Sequence, residues 1–145
     1  MLRKAAMANA NHNEISFPLP QGWADMSQIV AVGPADSNFR PNLVITREPV
    51  KAGETAIAFA QRQLPLLKQS IPGLTVIKES PTKLGTLTAF SREYTGVYEG
   101  RKLQQLQLYV IQNGTAYVFT VTHAEGRLDA IRPTVEKMLA GLTIG

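Results

Sequence analysis

The residues from Leu87 to His123 show the strongest pattern in the chain, an alternation of apolar and polar positions interrupted by two turn dipeptides. Asn113-Gly114 is typical of a two-residue hairpin loop, because a type I′ turn requires positive φ at both of its central residues. Glu99-Gly100 marks a second turn of the same kind. The pattern therefore predicts a meander of three antiparallel strands.

A hairpin closed by Asn113-Gly114 sorts its residues onto two faces, because successive side chains of a strand point to opposite sides. One face carries the apolar pairs Val110–Tyr117, Leu108–Phe119 and Leu106–Val121. The other face carries the pairs Tyr109–Val118, Gln107–Thr120 and Gln105–Thr122. We interpret the first face as core. The second face is uncharged without being fully apolar, so we interpret it as a surface that meets a partner.

Short segments rich in aliphatic residues predict further strands, at residues 14–17, 27–32, 42–47 and 74–78, with a turn region at 80–85. Both faces of the strands at 27–32 and 42–47 carry aliphatic residues, so we expect both faces to be covered. Trp23 is expected to close one end of the core. Apolar residues at helical spacing predict one helix over residues 54–71 and another after His123, with Pro133 starting a fresh helix.

Gln63 lies inside the apolar arc of the first predicted helix, between Phe59 and Leu67. A polar side chain in such a position needs a hydrogen-bond partner when it is buried. Two interpretations stay open at this point. Either the glutamine bonds to nearby backbone, or it serves a partner that arrives later.

The composition indicates one domain with an unusually neutral surface. The chain has 145 residues, of which 18% are charged, and the net charge of +4 is scattered rather than clustered. The absence of cysteine excludes disulfides and thiolate chemistry. Residues 1–13 are too short and too polar for a signal peptide, so we expect a flexible tail there and a single domain over residues 14–145. The expected location is the cytoplasm, without direct insertion into a membrane.

The sequence offers little catalytic chemistry. His12 and His123 have no second ligand at metal-binding spacing, and no nucleophile elbow, phosphate-binding loop or dinucleotide fingerprint occurs. We therefore expect a protein that is not an enzyme and has no cofactor and no metal. Arg92, Tyr94, Tyr98, Arg101 and Lys102 are residue types that bind single-stranded nucleic acid, but a solvated hairpin tip is the simpler interpretation.

Several short segments occur in an informative order. They are Phe17-Pro18-Leu19-Pro20-x-Gly22-Trp23-x-Asp25-x-Ser27, Pro41-Asn42-Leu43-Val44-Ile45-Thr46-Arg47-Glu48, Arg62-Gln63-Leu64, Pro72-Gly73 and Glu99-Gly100-Arg101-x-Leu103-x-x-x-Gln107. Together they resemble the DcrB-related proteins, and more narrowly the Eag (effector-associated gene) chaperones of bacterial type VI secretion. The resemblance implies an α/β (α+β) fold of the PsbP-like type, an α/β/α sandwich with a largely antiparallel sheet and two main helices.

The resemblance also implies a function. Eag chaperones are cytoplasmic homodimers that shield the N-terminal transmembrane helices of a secreted effector in a hydrophobic groove, before the effector is loaded on the secretion spike. The family's groove positions correspond here to Gln28, Val30 and Val44 on strands and to the glutamines Gln63 and Gln107. Gln28 stands where an aliphatic residue is expected. Either the register shifts and places Ile29 in the groove, or this groove is more polar.

Two other functions stay open on the sequence alone. The first is a periplasmic DcrB-type domain with a non-enzymatic role at the cell envelope, which the absence of a lipobox cysteine and a signal sequence disfavours. The second is a nucleic-acid-binding module that uses Tyr94, Tyr98 and the basic hairpin; the simpler interpretation of this hairpin as a solvated tip disfavours it, so we expect no nucleic-acid partner.

Overall fold

The computed structural model of the protein describes residues 8–12 and 15–145. Its elements are β1 (Ala8–His12), β2 (Ile15–Leu19), β3 (Ile29–Val32), β4 (Asn42–Pro49), α1 (Ala56–Ser70), β5 (Thr75–Leu84), β6 (Leu87–Tyr98), β7 (Arg101–Gln112), β8 (Thr115–Ala124) and α2 (Leu128–Ala140). Strands β3 to β8 form a six-stranded sheet in the order β3-β4-β8-β7-β6-β5, and every neighbouring pair is antiparallel. β1 and β2 form a separate antiparallel ribbon.

The predicted meander is confirmed as β6, β7 and β8. Leu108 lies opposite Phe119, and Gln107 lies opposite Thr120, as the hairpin register requires. In the turn between β7 and β8, the central residues Asn113 and Gly114 have φ of 52° and 73°. Positive φ at both positions is the geometry of a type I′ turn, which matches the right-handed twist of the joined strands.

The two helices cover opposite faces of the sheet. α2 packs through Leu128, Val135 and Leu139 on the face that carries Val110, Phe119 and Val121, and we name this the α2 face. α1 packs through Phe59 and Ala60 on the other face, against Tyr109, Ala116 and Val118, and we name this the α1 face. The arrangement is the predicted α/β/α sandwich with a largely antiparallel sheet.

The start of α1 is fixed by side chains. Thr55 is the N-cap, and its Oγ1 accepts a hydrogen bond of 3.1 Å from the backbone N–H of Ala58. Glu54 accepts two hydrogen bonds of 2.9 Å from the guanidinium of Arg62. These bonds from Arg62 lower the pKa of the Glu54 carboxyl to about 2. The first turn of α1 therefore stays tied to the loop before it across the neutral pH range.

Two local predictions are wrong. Residues 80–84 were expected to turn but belong to β5, and Pro81 is tolerated there because β5 is an edge strand, where a missing N–H breaks no ladder. α2 runs through Pro133 without a fresh start. Its apolar stripe, which includes Leu128 before the proline and Val135 after it, packs on one continuous core and so favours one continuous helix.

The N-terminal part of the chain also differs from the prediction. Residues 8–12, expected to belong to a flexible tail, pair with β2 instead. A backbone ladder needs no apolar pattern, so periodicity did not reveal this strand. The rest of that predicted tail, residues 1–7 and 13, lies outside the described residues.

The apolar surface near β3 is exposed rather than covered. Trp23 is 72% exposed, so it does not close the core. In β3, Ile29, Val30 and Val32 are each more than half exposed, on both faces of an edge strand. The expectation that both faces of this strand are covered is wrong within a single chain, because the helices make their main contacts with β6, β7 and β8. The fold thus leaves an unprotected apolar edge, which soluble proteins usually avoid.

Candidate functional site

The α1 face has an open strip beside the helix. α1 makes its main contacts with β6 and β7, away from β3 and β4 at the other end of the sheet. On the open strands Val30 is exposed and Val44 and Thr120 are half-buried. We name this strip the groove: its floor is Val30, Val44, Thr120 and Gln107, and α1 forms one border.

Strand register aligns the groove residues in a single row. Each residue lies directly opposite the next on the neighbouring strand, and the row reads Val30, Val44, Thr120, Gln107, Arg92 and Glu79 from β3 to β5. The row changes from two aliphatic residues at the β3 edge, through a hydroxyl and an amide, to an ion pair beyond the groove. Val30, Val44 and Gln107, to which the resemblance assigns client binding, therefore lie in one row.

The Gln107 side chain is held in one orientation. Its Nε2 donates a hydrogen bond of 3.0 Å to Oγ1 of Thr120, and its Oε1 accepts one from the Tyr109 hydroxyl. Burial raises the pKa of Tyr109, so the hydroxyl stays protonated and acts as the donor. One N–H and one oxygen lone pair of the amide remain for a partner.

Arg92 anchors this arrangement from below α1. It is 1% exposed, and its Nη1 donates to the Tyr109 hydroxyl at 3.1 Å and to the backbone oxygen of Ala60 at 2.8 Å. Its Nε donates to Glu79 Oε2 at 2.7 Å. The same guanidinium therefore ties α1 to the sheet and supports the tyrosine that orients Gln107. Hydrophobic patterning gave no sign of this contact, because it joins residues far apart in the chain.

Gln63 lies on α1, the helix that borders the groove. It follows Phe59 by one helical turn, so it lies on the side of α1 that packs onto the sheet. The Phe59 ring is 6.1 Å from the ring of Tyr109, which is two residues from Gln107 on β7. Gln63 itself is half-buried. The two glutamines flagged by the sequence thus lie on the same side of the sheet.

Gln28 and Ile29 are placed differently from the other predicted site residues. Ile29 lies opposite Ile45, which belongs to the α2 face, so the register shift that would place Ile29 in the groove is wrong. Val30 keeps its place opposite Val44. Gln28 is exposed and precedes the first residue of β3. Two alternatives were given for Gln28. Only the second, in which the groove is more polar than in the family, stays open.

The residues considered for nucleic-acid binding do not form a stacking surface. Arg92 and Tyr94 are each 1% exposed, and the Tyr98 hydroxyl is bonded to Oε1 of Gln105 at 2.6 Å. Arg101 donates to the backbone oxygens of the loop between β3 and β4. Base stacking requires exposed aromatic faces, so the hairpin lacks the platform that this function needs.

The loop between β3 and β4 is clamped at its centre. Asp36 accepts hydrogen bonds of 3.1 and 2.6 Å from Arg127, at Oδ2 and Oδ1 respectively, and His123 Nε2 lies 3.2 Å from Oδ2. The buried His123 ring stacks on Phe39 at 5.8 Å. The hydrogen bonds from Arg127 lower the pKa of Asp36, so the carboxylate stays charged well below neutral pH. This clamp holds the edge strand that begins the groove.

Two clefts lie on the opposite side of the sheet. The larger, about 560 Å³, separates α2 from β5, β6 and β7, and the smaller, about 340 Å³, lies beside the β3–β4 loop. Neither is lined by Val30, Val44 or Gln107.

Among the described residues, no group of three His, Asp or Glu side chains comes close enough to hold a metal. Within residues 8–12 and 15–145, no helix has the length and apolar character needed to cross a membrane.

Comparison with known proteins gives the fold and the family. The crystal structure of protein PA94 from Pseudomonas aeruginosa is similar to this chain with a TM-score of 0.80 and 21% identity, over 96% of this chain and 97% of that one. The solution structure of PsbP (CyanoP) from Synechocystis sp. PCC 6803 is similar with a TM-score of 0.53 and 14% identity, over 94% and 90% of the two chains. This likeness shows the PsbP-like fold. No curated protein matches the sequence significantly. The DcrB family model matches residues 14–141, and the chain therefore belongs to the DcrB family.

Proposed function

We propose that the protein is a cytoplasmic adaptor of type VI secretion, which binds an N-terminal transmembrane helix of an effector in the groove before the effector is loaded on the secretion spike. The observation that carries the proposal is the row of Val30, Val44, Thr120 and Gln107. It combines two aliphatic side chains, the exposed Val30 and the half-buried Val44, with an oriented, uncharged amide. The similarity to Eag chaperones gives the biological setting.

The groove has the width of one helix. Three strand spacings separate β3 from β7, which is about 14 Å at ~4.8 Å per spacing. An α-helix with its side chains is about 10–12 Å across. A single transmembrane helix can therefore lie between α1 and the β3 edge.

The chemistry of the groove suits an apolar helix in water. Such a helix leaves apolar surface exposed at a cost of about 25 cal/mol per Å², which aliphatic residues such as Val30 and Val44 reduce by covering it. An amide can both donate and accept a hydrogen bond, and it avoids the large cost of burying a charge against the client. The function requires no catalysis, metal or cofactor, and we propose that the protein has none.

The first prediction concerns the two glutamines of the site. The double variant Gln63→Ala, Gln107→Ala is expected to capture a transmembrane-segment client at least tenfold less well, because two groove amides are lost. Its free energy of unfolding is expected to fall by only about 1–3 kcal/mol, since the internal bonds of Gln107 are worth about 1 kcal/mol each. Co-purification with the client and thermal unfolding measure the two effects.

Gln104→Ala is the matched control for that variant. Gln104 is on the same strand but faces the other side of the sheet, where it donates to Glu93 at 2.9 Å. It should therefore lose internal bonds without losing client capture. Equal capture by the wild type and the double variant would remove both glutamines from the site.

A second prediction concerns the oligomeric state. We propose a homodimer, supported by the exposed apolar residues Ile29, Val30 and Val32 on the edge strand β3. The mass of one chain is 15.8 kDa. Light scattering at micromolar concentration is expected to give twice this mass. A replacement of Ile29, which lies outside the groove, by Lys should weaken the dimer if β3 contributes to it. A monomer throughout that concentration range would contradict the dimer.

A further inference from the structure

We propose that Gln105 is a second client-binding amide, and that Gln105 and Gln107 together recognise hydroxyl side chains of Ser or Thr one helical turn apart on the client helix. The inference rests on the proposed function and deepens it, because it names what the groove selects. Gln105 and Gln107 lie on the same face of β7, two residues apart.

The hydrogen bonds of Gln105 repeat those of Gln107. Gln105 Nε2 donates to Oγ1 of Thr122 at 2.8 Å, and its Oε1 accepts from the Tyr98 hydroxyl at 2.6 Å. Gln107 likewise donates to a threonine of β8 and accepts from a tyrosine. The two amide groups therefore have the same orientation, with the nitrogen toward β8.

The tyrosines keep this orientation over a wide pH range. Burial raises the pKa of Tyr98 to about 12 and also raises that of Tyr109, so both hydroxyls stay protonated and donate to the amide oxygens. Each amide keeps one N–H and one oxygen lone pair for a partner. A Ser or Thr hydroxyl matches this pair of groups, because it is both a donor and an acceptor.

The spacing of the two amides selects a helical repeat. Two residues along a strand span about 6.7 Å. Along a helix, positions i and i+4 are about 6.0 Å apart and lie on the same side, whereas i and i+2 are about 3 Å apart and lie on different sides. A client helix aligned with β7 would therefore present hydroxyls at i and i+4 to Gln105 and Gln107.

The surroundings of Gln105 are also suited to a partner. Its row across the sheet contains Val32, Asn42 and Thr122, which are uncharged like Val30, Val44 and Thr120 in the row of Gln107. Directly opposite Gln105 on β6 is Tyr94, whose buried hydroxyl has no hydrogen-bond partner among the described residues. The groove face therefore has hydrogen-bonding capacity beside Gln105 that the fold itself leaves unused.

The experiment uses two probes of identical composition. Each is a soluble fluorescent protein fused to a helix of about 20 Leu and Ala residues, with two Ser at i and i+4 in one probe and at i and i+2 in the other. Each probe is co-expressed with the full chain, and capture is measured as the amount that co-purifies. The wild type is expected to capture the i, i+4 probe about three- to tenfold better, the ratio that one additional hydrogen bond gives.

Single variants assign the preference to Gln105. Gln105→Leu and Gln107→Leu should each abolish the preference, whereas Gln104→Leu, on the opposite face, should keep it. If Gln105→Leu does not fold by thermal melting, Tyr98→Phe removes only the hydroxyl that orients Gln105, and it should reduce the preference.

The outcomes separate this inference from the proposed function. Capture of neither probe by the wild type overturns both. Capture of both probes to the same extent, or an unchanged preference in a folded Gln105→Leu or Tyr98→Phe variant, overturns the inference and leaves the proposed function standing.

Discussion

Val44→Glu is expected to give a folded protein that captures no transmembrane helix, whereas Leu43→Glu is expected to prevent folding. The two residues are neighbours on β4 but point to opposite faces of the sheet. Leu43 is 7% exposed and belongs to the core under α2. Val44 is half-buried in the open groove.

The physical contrast lies in the water around each position. A glutamate at position 44 stays hydrated while the groove is empty and loses that water only when an apolar helix covers it, at a cost of several kcal/mol. At position 43 the charge is buried whether or not a client is present, so the cost falls on folding itself. Val44→Glu should therefore reduce client capture by at least 100-fold.

Thermal melting and client co-purification test the pair of variants. Val44→Thr is the matched control, because it nearly keeps the shape of valine and adds no charge. It should fold and retain most of its capture. If Val44→Glu melts as early as Leu43→Glu, or if it captures the client normally, Val44 does not line a functional groove.

The sequence was sufficient for the central hairpin and for the faces of its strands. Asn113-Gly114 specifies the turn, and a two-residue turn leaves one register for β7 and β8. The face of Gln107 follows from alternation once that register is known, and alternation along β4 places Val44 on the face opposite to Leu43. These local rules place most of the groove floor.

The exposure of Trp23 and β3 was not predictable in the same way. Aliphatic residues on both faces of a strand indicate that both faces are covered, but they do not show what covers them. In the structure the helices make their main contacts with β6, β7 and β8, and the aliphatic side chains of β3 remain more than half exposed within one chain. Alternation along the strand therefore could not show that Val32 stays half exposed in the folded chain.

The Arg92 contacts were also beyond the sequence pattern, and they give the other large expected effect. Arg92→Met is expected to lower the free energy of unfolding by about 2–3 kcal/mol, because hydrogen bonds made by a charged group are worth more than neutral ones. The cost stays below that of breaking a fully buried ion pair, since the Glu79 side chain is 38% exposed and stays hydrated. Chemical denaturation measures this change.

The same variant is expected to weaken client capture, because Arg92 supports Tyr109, which orients Gln107, and also holds α1 through Ala60.

Glu79→Gln is the matched control: it removes the charge from the exposed end of the ion pair and leaves the contacts of Arg92 with the tyrosine and the helix. It should cost less than about 1 kcal/mol and leave capture unchanged. If Glu79→Gln destabilises the protein as much as Arg92→Met, the ion pair rather than the contact with α1 is the source of the stability. If Arg92→Met captures the client as well as the wild type, the orientation of Gln107 does not depend on the buried guanidinium.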